Sequence, residues 1–350
     1  CRLPLGLRLA PPDAEIDQRE DEIDQHDDNA DRRALTELEI AEGDANAWNE
    51  LKNFINTQHP ANRAAFEGVE ARLDLENFID YLLVNIYTGT SDWPWNNWRA
   101  AKERVPGAKF RFYTWDAEWS FGLNNAPSHN TILNELGGGT EIPTMFKRLM
   151  LSPEFKLRFA DRAHKHFFNG GVLTDEKIRA RYESLRGQVV TSISGFNNVM
   201  STTWIAQRRR YVTNHLAESG LLLSSNAPLF NLAAGRIPRN VPLTMTAPVG
   251  EIWYTTNGLD PRVPFTGAID DSAQRYSGPI PLNQSTLVKA RTFWSGNVSA
   301  VTEAAYTTEQ LGVPIRITEI MYNPPGGDAY EFIEIQNVGP TPIDLGGFTF

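Results

Sequence analysis

The segment that most restricts the fold of this chain is residues 74–87, a run that ends just before a glycine. Its apolar residues recur at the spacing of one broad helical face, and they are Leu75, Phe78, Ile79, Leu82, Leu83 and Ile86. Asp74 is suited to cap the first turn of this helix and Gly89 to end it. The pattern therefore predicts a buried helix against which neighbouring elements must pack.

A polar, tryptophan-rich loop follows this helix, because residues 90–98 read Thr-Ser-Asp-Trp-Pro-Trp-Asn-Asn-Trp. Pro94 disfavours both helix and strand, so a rigid loop is predicted. Residues 98–102 and 109–115 have the pattern of two short strands, joined by a turn at residues 105–108. Asp116 falls just past the end of the second strand.

The polar residues of this region are those that phosphoryl transfer from Mg·ATP requires. Asp92 supplies a carboxylate, Asn97 an amide five residues later, and Asp116 a second carboxylate nineteen residues after that. In protein kinases one aspartate faces the acceptor hydroxyl, while an asparagine and another aspartate hold the metal ions that bridge the phosphates. The structural alternative is that Asp92 caps the turn before Pro94 and that the asparagine satisfies loop backbone groups.

Residues 77–98 and 109–122 carry both motifs in order and resemble the CotH family of atypical, bacterial spore-coat-type protein kinases. The resemblance implies ATP- and Mg-dependent (or Mn-dependent) phosphorylation of serine. It implies a protein substrate, such as a Ser-rich surface protein, and an extracellular or cell-surface location in a bacterium.

The same resemblance assigns roles to individual residues. Asp92 would be the catalytic-loop aspartate. Asn97 and Asp116 would hold the metal and, through it, the nucleotide. Asn96 is the competing choice for the amide, and Glu118 is a further candidate that would support the metal or the loop.

A kinase also needs an N-lobe, with a phosphate-covering loop and a lysine that contacts the phosphates. The sequence before Asp92 has no strand-rich region with a Gly-rich turn, and its only lysine, Lys52, lies on a predicted helix. We therefore expect a fragment that carries the C-lobe without the N-lobe, binds ATP poorly and is close to inactive. The alternative is a kinase-like lobe without activity, which serves as an interaction or surface-anchoring protein.

The predicted fold class is α+β and multidomain. Residues 1–35 are expected to form an acidic irregular leader, because the first 50 residues hold 15 acidic and 5 basic side chains, against 28 of each in the remainder. Residues 36–224 are expected to form a mainly helical kinase-like C-lobe with a small hairpin. Its later helices are predicted at residues 144–151, 153–168, 173–193 and 204–217, after a flexible stretch at 124–139.

From residue 228 onwards the pattern changes to short strands and turns. Residues 254–261 resemble part of the C-terminal domain of chitobiase-type glycosidases, which implies a fibronectin-III-like β-sandwich over residues 228–308. Residues 315–339 and 344–347 resemble the first strands of a lamin-tail-type domain, which implies a partial β-sandwich over residues 314–350. Such modules would anchor the protein to a surface or to a carbohydrate-linked partner.

Several other classes of function lack support in the sequence. The balanced charge after residue 50 leaves no basic stripe for nucleic acid, and no apolar run is long enough to span a membrane. The single cysteine, Cys1, excludes an intrachain disulfide, and no Cys/His pair has zinc-ligand spacing.

Three further groups of residues have a structural and a functional interpretation. Residues 208–210, all arginine, are expected to form a solvated helix face, with phosphate or acidic-substrate docking as the alternative. Asp260, Asp270 and Asp271 are expected in solvated turns, not as a glycosidase pair. The tryptophans of the candidate site are expected to be packing residues, with nucleotide stacking as the alternative, and they are Trp93, Trp95, Trp98, Trp115 and Trp119.

Overall fold

The computed structural model is mainly helical up to Glu218, with one short two-stranded hairpin, and strands follow after residue 228. The structure describes residues 41, 43–190, 192, 200–223, 226–308, 314–322 and 330–343. The chain divides into two compact units, Cys1–Glu42 and Gly43–Phe350, and the second is described below. The predicted acidic leader at residues 1–35 lies outside the described residues. The α+β fold class is confirmed.

Eight α-helices lie in the described part of the chain. They are α1 Asn46–Thr57, α2 Arg63–Glu70, α3 Leu75–Thr88, α4 Thr131–Asn134, α5 Glu141–Leu149, α6 Pro153–Phe167, α7 Asp175–Val189 and α8 Ile205–Glu218, the last preceded by a π-helical turn, Met200–Trp204. The prediction of a flexible stretch at residues 124–139 was wrong in one respect, because these residues include helix α4. Asn130 caps this short helix by accepting from the Leu133 N–H, and Thr131 and Ile132 are buried.

Helix α3 is buried along most of its length, as its apolar spacing predicts. The Asp74 side chain accepts from the Asn77 N–H at 3.1 Å and caps the first turn. Gly89 ends the helix with a left-handed φ of 61°. The predicted buried helix and both of its end signals are confirmed.

Strands β1 Trp98–Ala101 and β2 Arg111–Thr114 form the predicted antiparallel hairpin. Phe112 is buried and its ring lies 4.8 Å from that of Phe78 on α3, centroid to centroid. Asn77 holds the same strand, since its side chain accepts from the Phe112 N–H at 2.6 Å and donates to the Phe112 carbonyl at 3.2 Å. Helix α3 therefore fixes both the position and the register of β2.

The strands after residue 228 build a β-sandwich around Leu243, Val288, Ala290 and Tyr306. They are β3 Leu229–Phe230, β4 Gly235–Ile237, β5 Val241–Leu243, β6 Met245–Thr246, β7 Glu251–Thr255, β8 Gln274–Arg275, β9 Ile280–Leu282, β10 Thr286–Trp294, β11 Asn297–Val298 and β12 Thr302–Thr308. The main sheet has the order β4-β12-β10-β7-β8, with β11 paired to β10, while β3 pairs with β6 and β5 with β9.

A last antiparallel hairpin consists of β13 Ile315–Met321 and β14 Phe332–Asn337. Apolar side chains of both strands are exposed, including Ile320 and Phe332. The pairing agrees with the predicted first strands of a sandwich, and the lamin-tail assignment stays a prediction. None of the helices in the described ranges has the length and apolar character needed to cross a bilayer.

Replacement of Gly89 by alanine is expected to lower the free energy of unfolding by about 2 kcal/mol or more. The new residue would keep a positive φ, and its Cβ would lie 2.8 Å from a ring carbon of Trp204. Gly107→Ala is the matched control, since Gly107 also has a positive φ, 79°, but no heavy atom lies within 4 Å of an added Cβ. Urea unfolding followed by circular dichroism measures both variants. Equal losses would mean that backbone strain, without the clash, explains the effect.

Candidate functional site

Asp92 lies in the loop that follows α3 and is only 6% exposed. The Asn97 Nδ2 donates a hydrogen bond to Asp92 Oδ2. The other carboxylate oxygen, Oδ1, is buried and has no hydrogen-bond partner among the described residues. Trp93, which is fully buried, anchors the loop by donating from its indole N–H to the Tyr81 hydroxyl on α3. The loop therefore presents one engaged and one unengaged carboxylate oxygen.

Asn97 and Asp116 lie at the two ends of the hairpin base. Asn97 precedes β1 and Asp116 follows β2, and the pairing of Trp98 with Thr114 brings these ends together. Both residues have a left-handed backbone, with φ of 53° for Asn97 and 47° for Asp116. Asparagine and aspartate tolerate this conformation better than other non-glycine residues. The register of the two strands thus brings together two chain segments that are nineteen residues apart in the sequence.

Two backbone hydrogen bonds join the loop of Asp92 to the loop of Asp116. The Ser91 N–H donates to the Trp119 carbonyl at 2.9 Å, and the Phe121 N–H donates to the Thr88 carbonyl at 2.8 Å. Each bond joins a residue that precedes Asp92 to a residue that follows Asp116. The two loops are therefore held as one unit next to the end of α3.

The carboxylates of this region influence each other. Burial raises the pKa of Asp92, and the charge of Asp116 raises it further, against hydrogen bonds from its own backbone and from Asn97. A hydrogen bond from its own backbone N–H lowers the pKa of Glu118, but a hydrogen bond with Asp116 and the charges of Asp116 and Asp92 raise it overall. The site therefore concentrates negative charge that a cation would neutralise.

The fit of a metal ion follows from the donor set. Within the described ranges no three carboxylate, histidine or cysteine side chains already stand together as a metal-binding group. Mg²⁺, however, is usually bound by only one or two protein carboxylates together with waters and substrate phosphates. Asp116 and the oxygen of the Asn97 amide fit that smaller requirement.

The remaining candidates have less specific positions. Asn96 is half-buried in the loop, and it is Asn97 whose amide contacts Asp92. Glu118 is exposed beside Asp116. Of the five tryptophans expected to be packing residues, Trp115 and Trp119 are the most open, at 53% and 46% exposed. Trp115 stacks instead against the guanidinium of Arg99 on the open face of the hairpin, 5.0 Å from ring centroid to Cζ.

Arg208 is the supporting residue that the sequence analysis missed, because it was expected on a solvated face and is instead fully buried. Its guanidinium donates to the carbonyls of Tyr87 (2.9 Å) and Ile86 at the end of α3. It also donates to the carbonyls of Pro127 (2.8 Å) and His129 (2.6 Å), and to Thr131 Oγ1 (3.2 Å). Burial lowers the pKa of Arg208 to about 10.

These contacts have a clear physical cause. The last carbonyls of a helix have no partner within the helix, and the C-terminal end of the helix dipole attracts positive charge. Arg208 meets both needs at the end of α3, where the chain turns towards Asp92. A signal existed in the sequence, since Ile205, Arg208, Val212 and Leu216 share one helical face and all four are buried.

Trp204 lies against the same junction. Its ring is 4.8 Å from the Arg208 guanidinium carbon. A Cβ on Gly122, in the loop after Asp116, would lie 3.0 Å from this ring, and one on Gly89 would lie 2.8 Å from it. Both glycines therefore allow the backbone to approach Trp204 closely, which brings the two loops of the site onto one support.

Comparison with protein families identifies the first part of the chain. Residues 11–215 match the model of the CotH kinase protein family, which is more than half of the sequence. The chain belongs to the CotH family. Residues 241–306, which lie within the sandwich, match the model of the Fn3-associated family. No curated protein and no solved structure was found to match this CotH-family chain.

Arg208→Lys is expected to lower the free energy of unfolding by about 3 kcal/mol or more. One ammonium group offers three donors, too few for the five acceptors that the guanidinium satisfies. Arg210→Lys, two residues along the same helix and exposed, is the control and should change it by less than about 0.5 kcal/mol. Urea denaturation measures both. A small loss for Arg208→Lys would mean that the carbonyls can find other partners.

Asp116→Asn is expected to lower the pKa of Asp92 towards its ordinary value of 3.8, because the nearby negative charge is removed. A carboxyl whose pKa is raised by folding costs stability once pH rises above the unfolded value. The variant should therefore gain stability at pH 7 but not below about pH 3. NMR titration of the carboxyl carbons in metal-free buffer measures the pKa. Asp271→Asn, in an exposed turn, should leave it unchanged.

Proposed function

We propose that this chain carries the acceptor and metal half of a phosphoryl-transfer site, in a CotH-type kinase that phosphorylates serine with ATP and Mg²⁺ or Mn²⁺. The observation that carries the proposal is the contact of Asn97 with one oxygen of Asp92, beside the charge of Asp116. Membership of the CotH family supports nucleotide-dependent transfer as the reaction class.

Asp92 is the group proposed to accept the proton of the attacking serine hydroxyl. Its Oδ2 is oriented by Asn97, which leaves Oδ1 to face the hydroxyl. Because burial and the Asp116 charge raise its pKa, the carboxylate is a stronger base than an exposed aspartate. It must nevertheless be deprotonated to act, so activity should fall as pH falls through this raised pKa.

Asn97 and Asp116 are the groups proposed to hold the metal. The Asn97 Nδ2 is used in the bond to Asp92, so its amide oxygen remains as a ligand. Asp116 lies just after β2 and is exposed, which leaves it accessible to a nucleotide-bound ion. When bound, the ion would neutralise the charge that develops on the transferred phosphoryl group.

An open site suits a protein substrate. Four residues of the segment that follows β2 are exposed, and they are Trp115, Asp116, Glu118 and Trp119. We propose a Ser-rich secreted or surface protein as the acceptor, an extracellular or cell-surface location in a bacterium, and surface anchoring through the sandwich. These finer points rest on the family resemblance.

A second candidate function is a kinase-like interaction protein without catalytic activity. The observation that favours it concerns Lys52, the only lysine before Asp92. Lys52 lies on α1 and pairs with Glu141 at the start of α5, which also accepts from the Trp48 indole N–H at 3.0 Å. The described residues before Asp92 form helices and short connections, and among them there is no strand with a Gly-rich turn.

Binding of Mg²⁺ tests the proposal without requiring catalysis. Mg²⁺ at about a hundred times its dissociation constant should raise the free energy of unfolding by about 3 kcal/mol. Asp116→Asn should remove this gain, because a proposed ligand and its charge are lost. Glu103→Gln, an exposed carboxylate of the same hairpin, is the control and should keep the gain. No stabilisation of the parent chain, or full stabilisation of Asp116→Asn, would refute the metal site.

Transfer of labelled phosphate from ATP to a Ser-rich peptide separates the two candidate functions. Transfer that disappears in both Asp92→Asn and Asp116→Asn supports the kinase and contradicts our expectation that this chain alone is close to inactive. Mg²⁺ binding without transfer agrees with that expectation and favours the interaction protein for this chain.

A further inference from the structure

The sandwich contacts the helical region through Arg291, on β10, which is 1% exposed. Its guanidinium donates to both carboxylate oxygens of Asp161 on α6, at 2.9 and 2.6 Å. It donates to both oxygens of Asp260 at 2.7 Å, and to the Ser299 carbonyl at 2.7 Å. All five N–H groups are thus used. Asp260, expected in a solvated turn, is instead part of this cluster.

A second arginine of the sandwich, Arg262, makes a similar contact. It pairs in bidentate fashion with Glu154 in the first turn of α6, at 2.8 and 3.0 Å, and both side chains are buried. The Phe265 N–H donates to the same carboxylate at 3.1 Å. The Phe265 ring packs edge-on against Phe66 of α2, with centroids 5.4 Å apart. The turn between β7 and β8 is therefore seated on α2 and α6.

The pattern of donors and acceptors indicates a persistent interface. A buried ion pair is favourable only when its geometry is good and its remaining hydrogen-bonding groups are satisfied. Asp161 meets this condition, because its Oδ1 also accepts from the Val301 N–H at 2.8 Å. If the sandwich moved freely on a flexible linker, Asp161 and Arg291 would be hydrated by water and would not need each other as hydrogen-bond partners.

Ion pairs continue from α6 to α3, the helix that leads to Asp92. Arg162 on α6 pairs with Asp80 and with Glu76 (3.1 Å) on α3. Three residues further along α6, Lys165 pairs with Glu303 of β12 at 2.6 Å. Helix α6 therefore makes charged contacts with both the sandwich and α3.

We propose that the Fn3-associated sandwich is a fixed support for α6 and α3, and that it unfolds together with the helical region as one cooperative unit. In this arrangement the sandwich holds the helix that delivers Asp92, and its α6-facing side is unavailable to other partners. The proposal concerns stability and does not require the chain to be an active kinase.

Hydrogen exchange of the full chain in increasing urea, read by mass spectrometry, tests the proposal. In the parent chain, peptides from α3, α6, β7 and β10 should lose protection at one urea concentration. Arg291→Met leaves Asp161 and Asp260 without their shared cation. It should lower that concentration by about 1 M for all four elements together.

Arg275→Met is the matched control. Arg275 pairs with Glu251 on the exposed face of the sandwich, at 2.7 Å, and has no contact with α6 among the described residues. It should shift the midpoint of none of the four elements. Separate midpoints in the parent chain, or an Arg291→Met effect confined to β7 and β10, would overturn the proposal and indicate a freely tethered module.

Glu303→Gln keeps the proposal testable if Arg291→Met does not fold. This milder change weakens the contact with Lys165 at the edge of the same interface. It should increase the exchange rates of α3 and α6 amides by about threefold or more, in line with the loss of a partly buried pair. Faster exchange in β12 with none in the helices would count against the support role.

Discussion

Arg208 binds the carbonyls of Ile86 and Tyr87 at the end of α3. The position of the candidate site depends on this helix end, because the loop that carries Asp92 starts there. Ile86 and Tyr87 form the last turn of α3, and Asp92 follows within one short loop. The same guanidinium binds the segment that precedes α4, so three parts of the chain meet at one cation. Removing the cation from this point would leave buried carbonyls unpaired, which costs more than the bonds themselves contribute.

Arg291 repeats this arrangement at the second junction of the molecule. Both arginines are buried and use all their N–H groups, but their partners differ. Arg208 donates to four backbone carbonyls and one hydroxyl, all of which are neutral acceptors. Arg291 is placed between two carboxylates from different domains. The first arrangement shapes a helix end, and the second joins two folding regions.

Much of the site could be predicted from local sequence patterns. The spacing of apolar residues gave α3, and Asp74 and Gly89 marked its ends. Alternation predicted the hairpin, and the order of Asp92, Asn97 and Asp116 led to the proposal of phosphoryl transfer. The partners of Arg208, Asp260 and Arg291 could not be predicted in this way, because they lie far apart in the sequence and are chosen by packing. The exposure of Trp115 and Trp119 was not predicted either, because both follow the end of β2, where no periodic pattern indicates which side chains are covered.

The two ends of the β1–β2 hairpin differ, because its base is held by contacts with α3 and its tip is exposed to solvent. At its base, Asn97 and Asp116 depend on a register that Phe112 and Asn77 hold from below. At its tip, residues 103–107 are exposed, and Gly107 has open space around it. Insertions at the tip would change the length of the loop without moving the base. This tip is therefore a suitable attachment point for a spectroscopic label or an affinity tag that leaves the acidic site undisturbed.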